Sequence, residues 1–373
     1  MRKLRISAIP LVVASVVFVC ATTASAQTSQ AADSLDDGPH VYWQNGTRPI
    51  VLYLCHGAIS TTALPPRDTV SFTGRCGDST TVYRIPTRAP APDRATWTGV
   101  PRILALSDVH GEYDAMVRFL HHAGVIDSAG HWSWGNGHFV MLGDVFDRGD
   151  QVTECLWFLY RLEQEAVQAG GRVHLVLGNH EMMVLRDDLR YVNPKYTDGI
   201  VRSSRIRYPD LFGPDMELGR WLRSKPLVLR INDILFVHGG LAPEIVARGL
   251  SIDSLNAAGR TALDLSSAAL AFSDLPRLLF GTTGPLWYRG YLYGLKGRYE
   301  ATTDAEIDAT LRRYGASAIV VGHTENTVLT RLHAGKVYAI DVSLADLGTY
   351  QGLLWENGTF RLVTGAGAVE PFD

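Results

Sequence analysis

Asp108, His110, Asp144, Asp147, Arg148, Asn179, His238 and His323 are the residues of this chain whose types and spacing suit metal and phosphate chemistry. Asp108 and His110 stand two apart on an extended loop, so a carboxylate oxygen and an imidazole nitrogen can address one cation. Asp144 is a hard anionic oxygen suited to bridging two ions, Asn179 offers a neutral amide oxygen, and His238 and His323 offer imidazole nitrogens. A mixed N/O set of this kind suits Mn, Fe or Zn better than Ca or Mg alone. Within the single turn Gly143-Asp-Val-Phe-Asp-Arg-Gly149 the chain adds a second carboxylate, Asp147, and a guanidinium, Arg148, which anion recognition needs. Taken singly, each residue has an ordinary explanation, since Asp after a strand often caps a turn and a lone loop His often bonds backbone. The weight lies in their joint arrival.

The elements that must deliver them are legible as apolar runs. Ile103–Leu106, Phe139–Leu142, Val173–Leu177, Ile234–Val237 and Ala318–Val321 each end in a loop bearing Asp, His or Asn. Between them runs helical periodicity: Tyr113, Met116, Val117 and Leu120 up to a stop at Gly124, and Val152 to Ala169 up to Gly170-Gly171. This alternation predicts an α/β fold whose strand carboxyl ends gather at one edge. The run Lys336–Asp341 and a hairpin across Glu356-Asn-Gly358 read as sheet completion rather than chemistry. Residues 186–225, rich in Arg, Tyr, Pro and Gly, should border the site, and with Trp287 and Tyr288 set its depth. The amphipathic helical stretch 251–280 is assigned to packing, and His121, His122 and His138 to structure.

The 373 residues are 46% hydrophobic and 20% charged, an ordinary globular balance, and the net charge of −3 gives no basic field for nucleic acid. Arg2, Lys3 and Arg5, an apolar run from Ile6 to Val19, and Ala24-Ser-Ala26 read as a secretory signal over 1–26, so the expected location is periplasmic or secreted, with no membrane association after cleavage. A polar leader follows over 27–38, then a small β-rich extension over 39–97 and a main domain over 98–368. Export makes an oxidising compartment, where Cys55 and Cys76 are expected to pair; closing their loop would contribute roughly 3 kcal/mol. Cys155, spaced helically with Val152, Leu156 and Leu159, reads as a buried thiol.

Asp108-Val-His-Gly111, Gly143-Asp-Val-Phe-Asp-Arg-Gly149, Gly178-Asn-His-Glu181, His238-Gly-Gly240 and Gly322-His323 resemble, in order, the motifs of calcineurin-like metallophosphoesterases. The Asp-Arg-Gly and Asn-His-Glu endings are similar to the phosphoprotein phosphatase branch. Phe146–Trp157 and Gly284-Pro-Leu-Trp-Tyr-Arg-Gly290 look most like bacterial Shewanella-like phosphatases, over roughly residues 100 to 345. The resemblance implies a central β-sandwich of mixed sheets flanked by helices. It implies that Asp108 and His110 bind one metal, that Asp144 bridges two, and that Asn179, His238 and His323 bind the second, with Mn first and Fe or Zn as alternatives. Arg148 and Arg289 then match phosphate-clamping arginines, and His180 a general acid oriented by Asp147. The expected activity is hydrolysis of phosphotyrosine and/or phosphoserine/threonine in proteins or peptides by a metal-bridging hydroxide. Glu181 is expected to support the ligands rather than bind metal. Ser107 departs from the usual Gly and precedes the ligands, so little effect is expected. The alternatives are a phosphodiesterase or dinucleoside polyphosphate hydrolase, and an exported protein keeping the metal scaffold without turnover. Oligomeric state is left open.

Overall fold

The computed structural model of the chain describes residues 36–74, 76, 81–200, 205–343 and 350–372. The signal over 1–26 and the leader up to residue 35 lie outside the described residues. In the extension, apolar side chains alternate with polar ones and turn-forming residues divide the runs. Asp37–Gln44 (β1), Arg48–Cys55 (β2) and Ala58–Ala63 (β3) form an antiparallel sheet, and Thr69–Thr73 (β4) and Val82–Pro86 (β5) a separate hairpin. Val41 and Trp43 are buried while Tyr42 between them is 40% exposed, the period of a half-buried strand. Asn45 and Gly46, both at positive φ, make the turn into β2. Cys55 and Cys76 form the expected disulfide, 21 residues apart, and Cys155 is a buried free thiol. Strand β1 takes in Asp37 and Gly38, which the sequence reading placed in the leader.

The extension runs directly into the main body. Thr96–Trp97 (β6) pairs parallel with Val228–Ile231 (taken as β10 below), so the end of the extension is built into a main sheet. Then follow Arg102–Leu106 (β7), Tyr113–His122 (α1), His138–Met141 (β8), Val152–Gln168 (α2), Arg172–Leu175 (β9) and Asn179–Leu185 (α3). An irregular segment carries single turns at Lys195–Ile200 and Tyr208–Phe212 before Glu217–Ser224 (α4). After β10 come Ile234–Val237 (β11), Pro243–Ala247 (α5), Ile252–Leu263 (α6), Ser267–Ala271 (α7), Asp274–Leu279 (α8) and Asp304–Tyr314 (α9). Ala318–Val321 (β12), Thr330–Leu332 (β13), Val337–Ala339 (β14), Gln351–Glu356 (β15), Thr359–Thr364 (β16) and Val369–Pro371 (β17) close the chain, β17 lying past the domain end expected at 368.

Two six-stranded mixed sheets face each other, ordered β13-β14-β12-β11-β10-β6 and β17-β16-β15-β7-β8-β9. Ile103, Ala105, Val140, Leu142, Leu229, Ile231, Ile234, Phe236, Val320 and Ile340 fill the space between them. The intervening residues Leu104, Leu106, Phe139, Met141, Leu235, Val237, Ile319 and Val321 pack instead with the helices. Strand alternation thus builds the β-sandwich flanked by helices. β7, β8 and β9 run parallel, as do β11, β12 and β14, so the carboxyl ends of each set point the same way. Among the described residues no helix is long and apolar enough to cross a membrane.

Candidate active site

The loops leaving these strand ends turn sharply. Asp108, His110, Asp144, Asp147, Arg148 and His323 all adopt positive φ, between 43 and 71°. Non-glycine residues avoid this region at about 1 to 3 kcal/mol each, and such residues concentrate where function over-determines the backbone. Here the turns direct side chains from different strands into one place. His110, Asp144 and His180 offer ligand atoms all within 4.8 Å of one another, and so do Asp144, His238 and His323, with Asp144 common to both groups. All five residues are buried.

The imidazoles are aimed by backbone carbonyls. His110 Nδ1 bonds Phe146 O at 2.7 Å and His238 Nδ1 bonds Leu142 O at 2.7 Å, which leaves each Nε2 for a cation. His238 Nε2 lies 3.1 Å from Asp144 Oδ2 and 3.0 Å from Asn179 Oδ1. His323 Nε2 is buried and has no hydrogen-bond partner, an orphan polar atom pointing to a missing ligand. Glycines make room: a Cβ on Gly178 would lie 2.2 Å from Asp144 Oδ1, and one on Gly143 3.0 Å from His238 Nδ1. This donor set and its packing fit two divalent ions. Neither group of three includes Asp108 among the described residues. Its Oδ2 accepts from His323 N at 3.1 Å and from the Ser107 hydroxyl, so the departure at Ser107 touches the carboxylate of a candidate ligand directly.

Glu181, fully buried at the first turn of α3, accepts from Asp144 N at 2.9 Å, Val145 N at 2.7 Å and Gly178 N at 2.7 Å. It ties the loop after β8 to the loop that opens α3. His180 N donates to Asp144 Oδ1 at 2.9 Å, and His180 Nδ1 meets Asp147 Oδ2 at 2.5 Å. The His180 ring therefore has one nitrogen fixed and turns Nε2 toward the cluster, 3.7 Å from Asp144 Oδ2. Arg148 is exposed beside this pair, and its charge is felt at His110 and Asp341. Half-buried Arg289 reaches His323 O at 3.4 Å.

Charge balance is tight. Burial draws His180 down, but Asp144 and Asp147 outweigh it and hold the imidazole above its usual range. Burial likewise opposes His238, which Asp144 and Asp108 push up to about 10. Burial lowers His110 to about 4 despite Asp144. Burial and the neighbouring Asp341 raise Asp108 well above the carboxylate range, while His238 and His180 hold Asp144 well below it against burial.

Asp341 is the residue that motif reading missed. It follows β14, which pairs parallel with β12, and so arrives at the same edge; burial and Asp144 push its carboxyl up to about 7. The strand it ends is three residues long, and Ile340-Asp341 carries no Gly or His to mark a loop. At the rim, Trp287 and the segment 186–225 stand where expected and Tyr288 does not. Tyr288 is buried with its hydroxyl on Thr302, whereas Tyr191, half exposed, sets its ring 5.4 Å from that of His180. Trp287 stands 5.5 Å from the His323 ring.

Residues 101–325 match the model of the calcineurin-like phosphoesterase family. The solved structure of a cold-active protein-tyrosine phosphatase of a psychrophilic Shewanella species is 39% identical, with a TM-score of 0.83 over 91% of this chain and 99% of that one. Shewanella-like protein phosphatase 1 of Plasmodium berghei is 31% identical over 62% of this chain and 63% of its own length. Shewanella-like protein phosphatase 2 of Arabidopsis thaliana is 30% identical over 40% of this chain, which spans about half, 49%, of that protein.

Proposed function

The chain belongs to the calcineurin-like phosphoesterase family and is a metal-dependent phosphoester hydrolase; from that premise we propose that it is an exported phosphomonoesterase acting on phosphorylated proteins or peptides. The observation that carries the monoester reading is the placement of two guanidiniums. The charge of Arg148 acts on His110, and Arg289 reaches His323 O and acts on the His323 ring, so two guanidiniums bring positive charge to the buried cluster. A terminal phosphoryl group carries about two negative charges at neutral pH, and that much fixed positive charge suits it better than a diester monoanion.

Asp108, His110 and Asp144 would hold one ion, and Asp144, Asn179, His238 and His323 the other. Two ions there supply Lewis acidity, bringing the pKa of a bound water toward neutrality and offsetting phosphoryl charge. The chain's own groups do the rest. Arg148 and Arg289 hold the non-bridging oxygens and neutralise the charge that grows on them. His180 carries on Nε2 the proton that the leaving oxygen needs, and Asp147 keeps Nδ1–H pointed away so that this nitrogen faces the substrate. The Tyr191 and Trp287 rings at the rim offer faces to an aromatic leaving group, which supports acceptance of phosphotyrosine alongside phosphoserine or phosphothreonine. The paired cysteines and the signal-like N-terminus support a periplasmic or secreted location.

The deciding assay strips the metals, reloads Mn, Fe, Zn or Mg separately, and compares phosphotyrosine and phosphoserine peptides with bis-p-nitrophenyl phosphate and diadenosine tetraphosphate. Phosphopeptides should turn over fastest. Faster cleavage of the diester or the tetraphosphate would replace the monoesterase reading with a diesterase one.

A further inference from the structure

Asp147 and Arg148 are consecutive non-glycine residues with φ of 71 and 63°. Two left-handed residues in a row set each Cβ against the following carbonyl, so this loop does not hold itself in shape. The helix after it, α2, is also incomplete, because its N-cap Gln151 makes no side-chain bond to the first turn. Gly149 N donates to His110 O at 2.9 Å and Gln151 N to Gly111 O at 3.2 Å, and a segment 45 residues downstream of Arg148 serves both the arginine's own backbone and the start of α2. Arg148 N donates to Tyr191 O at 2.9 Å, and Asn193 Nδ2 donates to Arg148 O at 2.8 Å, so both backbone groups of this arginine are gripped. The Tyr196 hydroxyl donates to Asp150 O at 2.7 Å and accepts from Val152 N at 2.8 Å, which caps α2 and fixes the far side of the loop. Lys195 Nζ adds a bond to Asp150 O at 2.5 Å.

The gripping segment is itself anchored. Tyr196 is fully buried and its ring stacks on Tyr208 at 4.7 Å. Tyr208 meets Phe212 at 5.1 Å, and Phe212 meets His40 of β1 at 6.3 Å. A continuous packed path therefore joins the β-rich extension to the loop that carries Arg148.

We infer that residues 191–196 are a strap that positions Arg148, with Asn193 and Tyr196 as positioning residues for phosphate binding; the inference rests on Arg148 being a phosphate ligand. A long exposed side chain can hold a phosphoryl group only if its backbone is fixed, since a small displacement of a positioning group is costly in rate. Tyr196→Phe keeps the ring and its stack and removes only the hydroxyl. Asn193 is half-buried at the surface, so Asn193→Ala keeps the question answerable if Tyr196→Phe does not fold.

The experiment measures competitive inhibition by inorganic phosphate, kcat/KM on p-nitrophenyl phosphate and metal content for each variant, alone and combined with Arg148→Ala. Each single variant should weaken phosphate inhibition and lower kcat/KM by about tenfold with metal content unchanged. Added to Arg148→Ala, neither should change phosphate inhibition further, because the group they position is gone. Full-sized additional losses in the Arg148→Ala background, or no loss in the native one, would overturn the strap. If Arg148→Ala alone leaves phosphate inhibition unchanged, the phosphate role of Arg148 fails first and the strap falls with it.

Discussion

His180 shows how a single residue's role depends on its neighbours. A buried imidazole is ordinarily neutral, because burial penalises its charged form, yet Asp144 and Asp147 more than reverse that here. The two carboxylates favour the protonated ring, and one nitrogen is pinned, which is what a proton donor to a departing oxygen requires. In His180→Ala the rate on a phosphoserine peptide, a poor leaving group, should therefore fall by roughly 10²- to 10⁴-fold. p-Nitrophenyl phosphate, whose leaving group needs little protonation, should lose far less, and bound metal should persist. Equal losses on both substrates would remove His180 from the proton-transfer role. The motif residues were visible in the sequence because each chemical type stood in a short loop after an apolar run. What Ser107 does was not, since its bond to the Asp108 carboxylate depends on a rotamer and not on spacing.

At the scale of elements, legibility followed periodicity. Five strand ends were found because each apolar run stops at Gly, Ser or His, whereas β14 stops at Ile340-Asp341 and passed as sheet completion. The strap over 191–196 has neither strand nor helix period, so nothing local announces its grip on a loop 45 residues away. The residues assigned to structure include one with a measurable consequence. His138 on β8 and His174 on β9 share a hydrogen bond at 3.0 Å under Trp97, whose ring lies 5.3 and 5.5 Å from theirs. Burial and then Arg172 lower His138 to about 4; burial, His138, Lys225 and Arg172 lower His174 well below its usual value. Both are neutral when folded, while unfolded histidines take a proton below about pH 6.5. Between that value and the folded pKa the unfolded chain binds more protons, so stability is intact above pH 6.5 and drains as pH falls through the window. Thermal unfolding of the native protein and of His138→Gln/His174→Gln at pH 7.5 and 4.5 should show a smaller acid loss in the variant. An identical loss would mean that this pair does not set the acid limb.

For the molecule as a whole, periodicity revealed an α/β body but not that its strands divide into two sheets. Strands such as Phe139–Met141 and Ile234–Val237 are buried on both faces, which erases the alternation that would assign them; the sandwich was expected only from the resemblance of the motifs. That division matters because the candidate ligands come from both halves: Asp108, His110, Asp144 and Asn179 follow β7, β8 and β9, and His238 and His323 follow β11 and β12. Five carboxylates, Asp108, Asp144, Asp147, Glu181 and Asp341, are buried at this seam. Their mutual repulsion, added to burial, raises Asp108 and Asp341, so without cations protons must stand in for positive charge. Ions bound there would replace those protons and join one sheet to the other. Their stabilisation should therefore be global: at a hundredfold excess over Kd it amounts to about 2.7 kcal/mol, worth several degrees in Tm for a chain of this size. Chelation should lower a single cooperative unfolding transition and release should be reversed by Mn, with His180→Ala responding like the native protein and Asp144→Asn hardly at all. A Tm indifferent to chelator, or a second low-temperature transition confined to part of the chain, would show that the ions do not bridge the sheets.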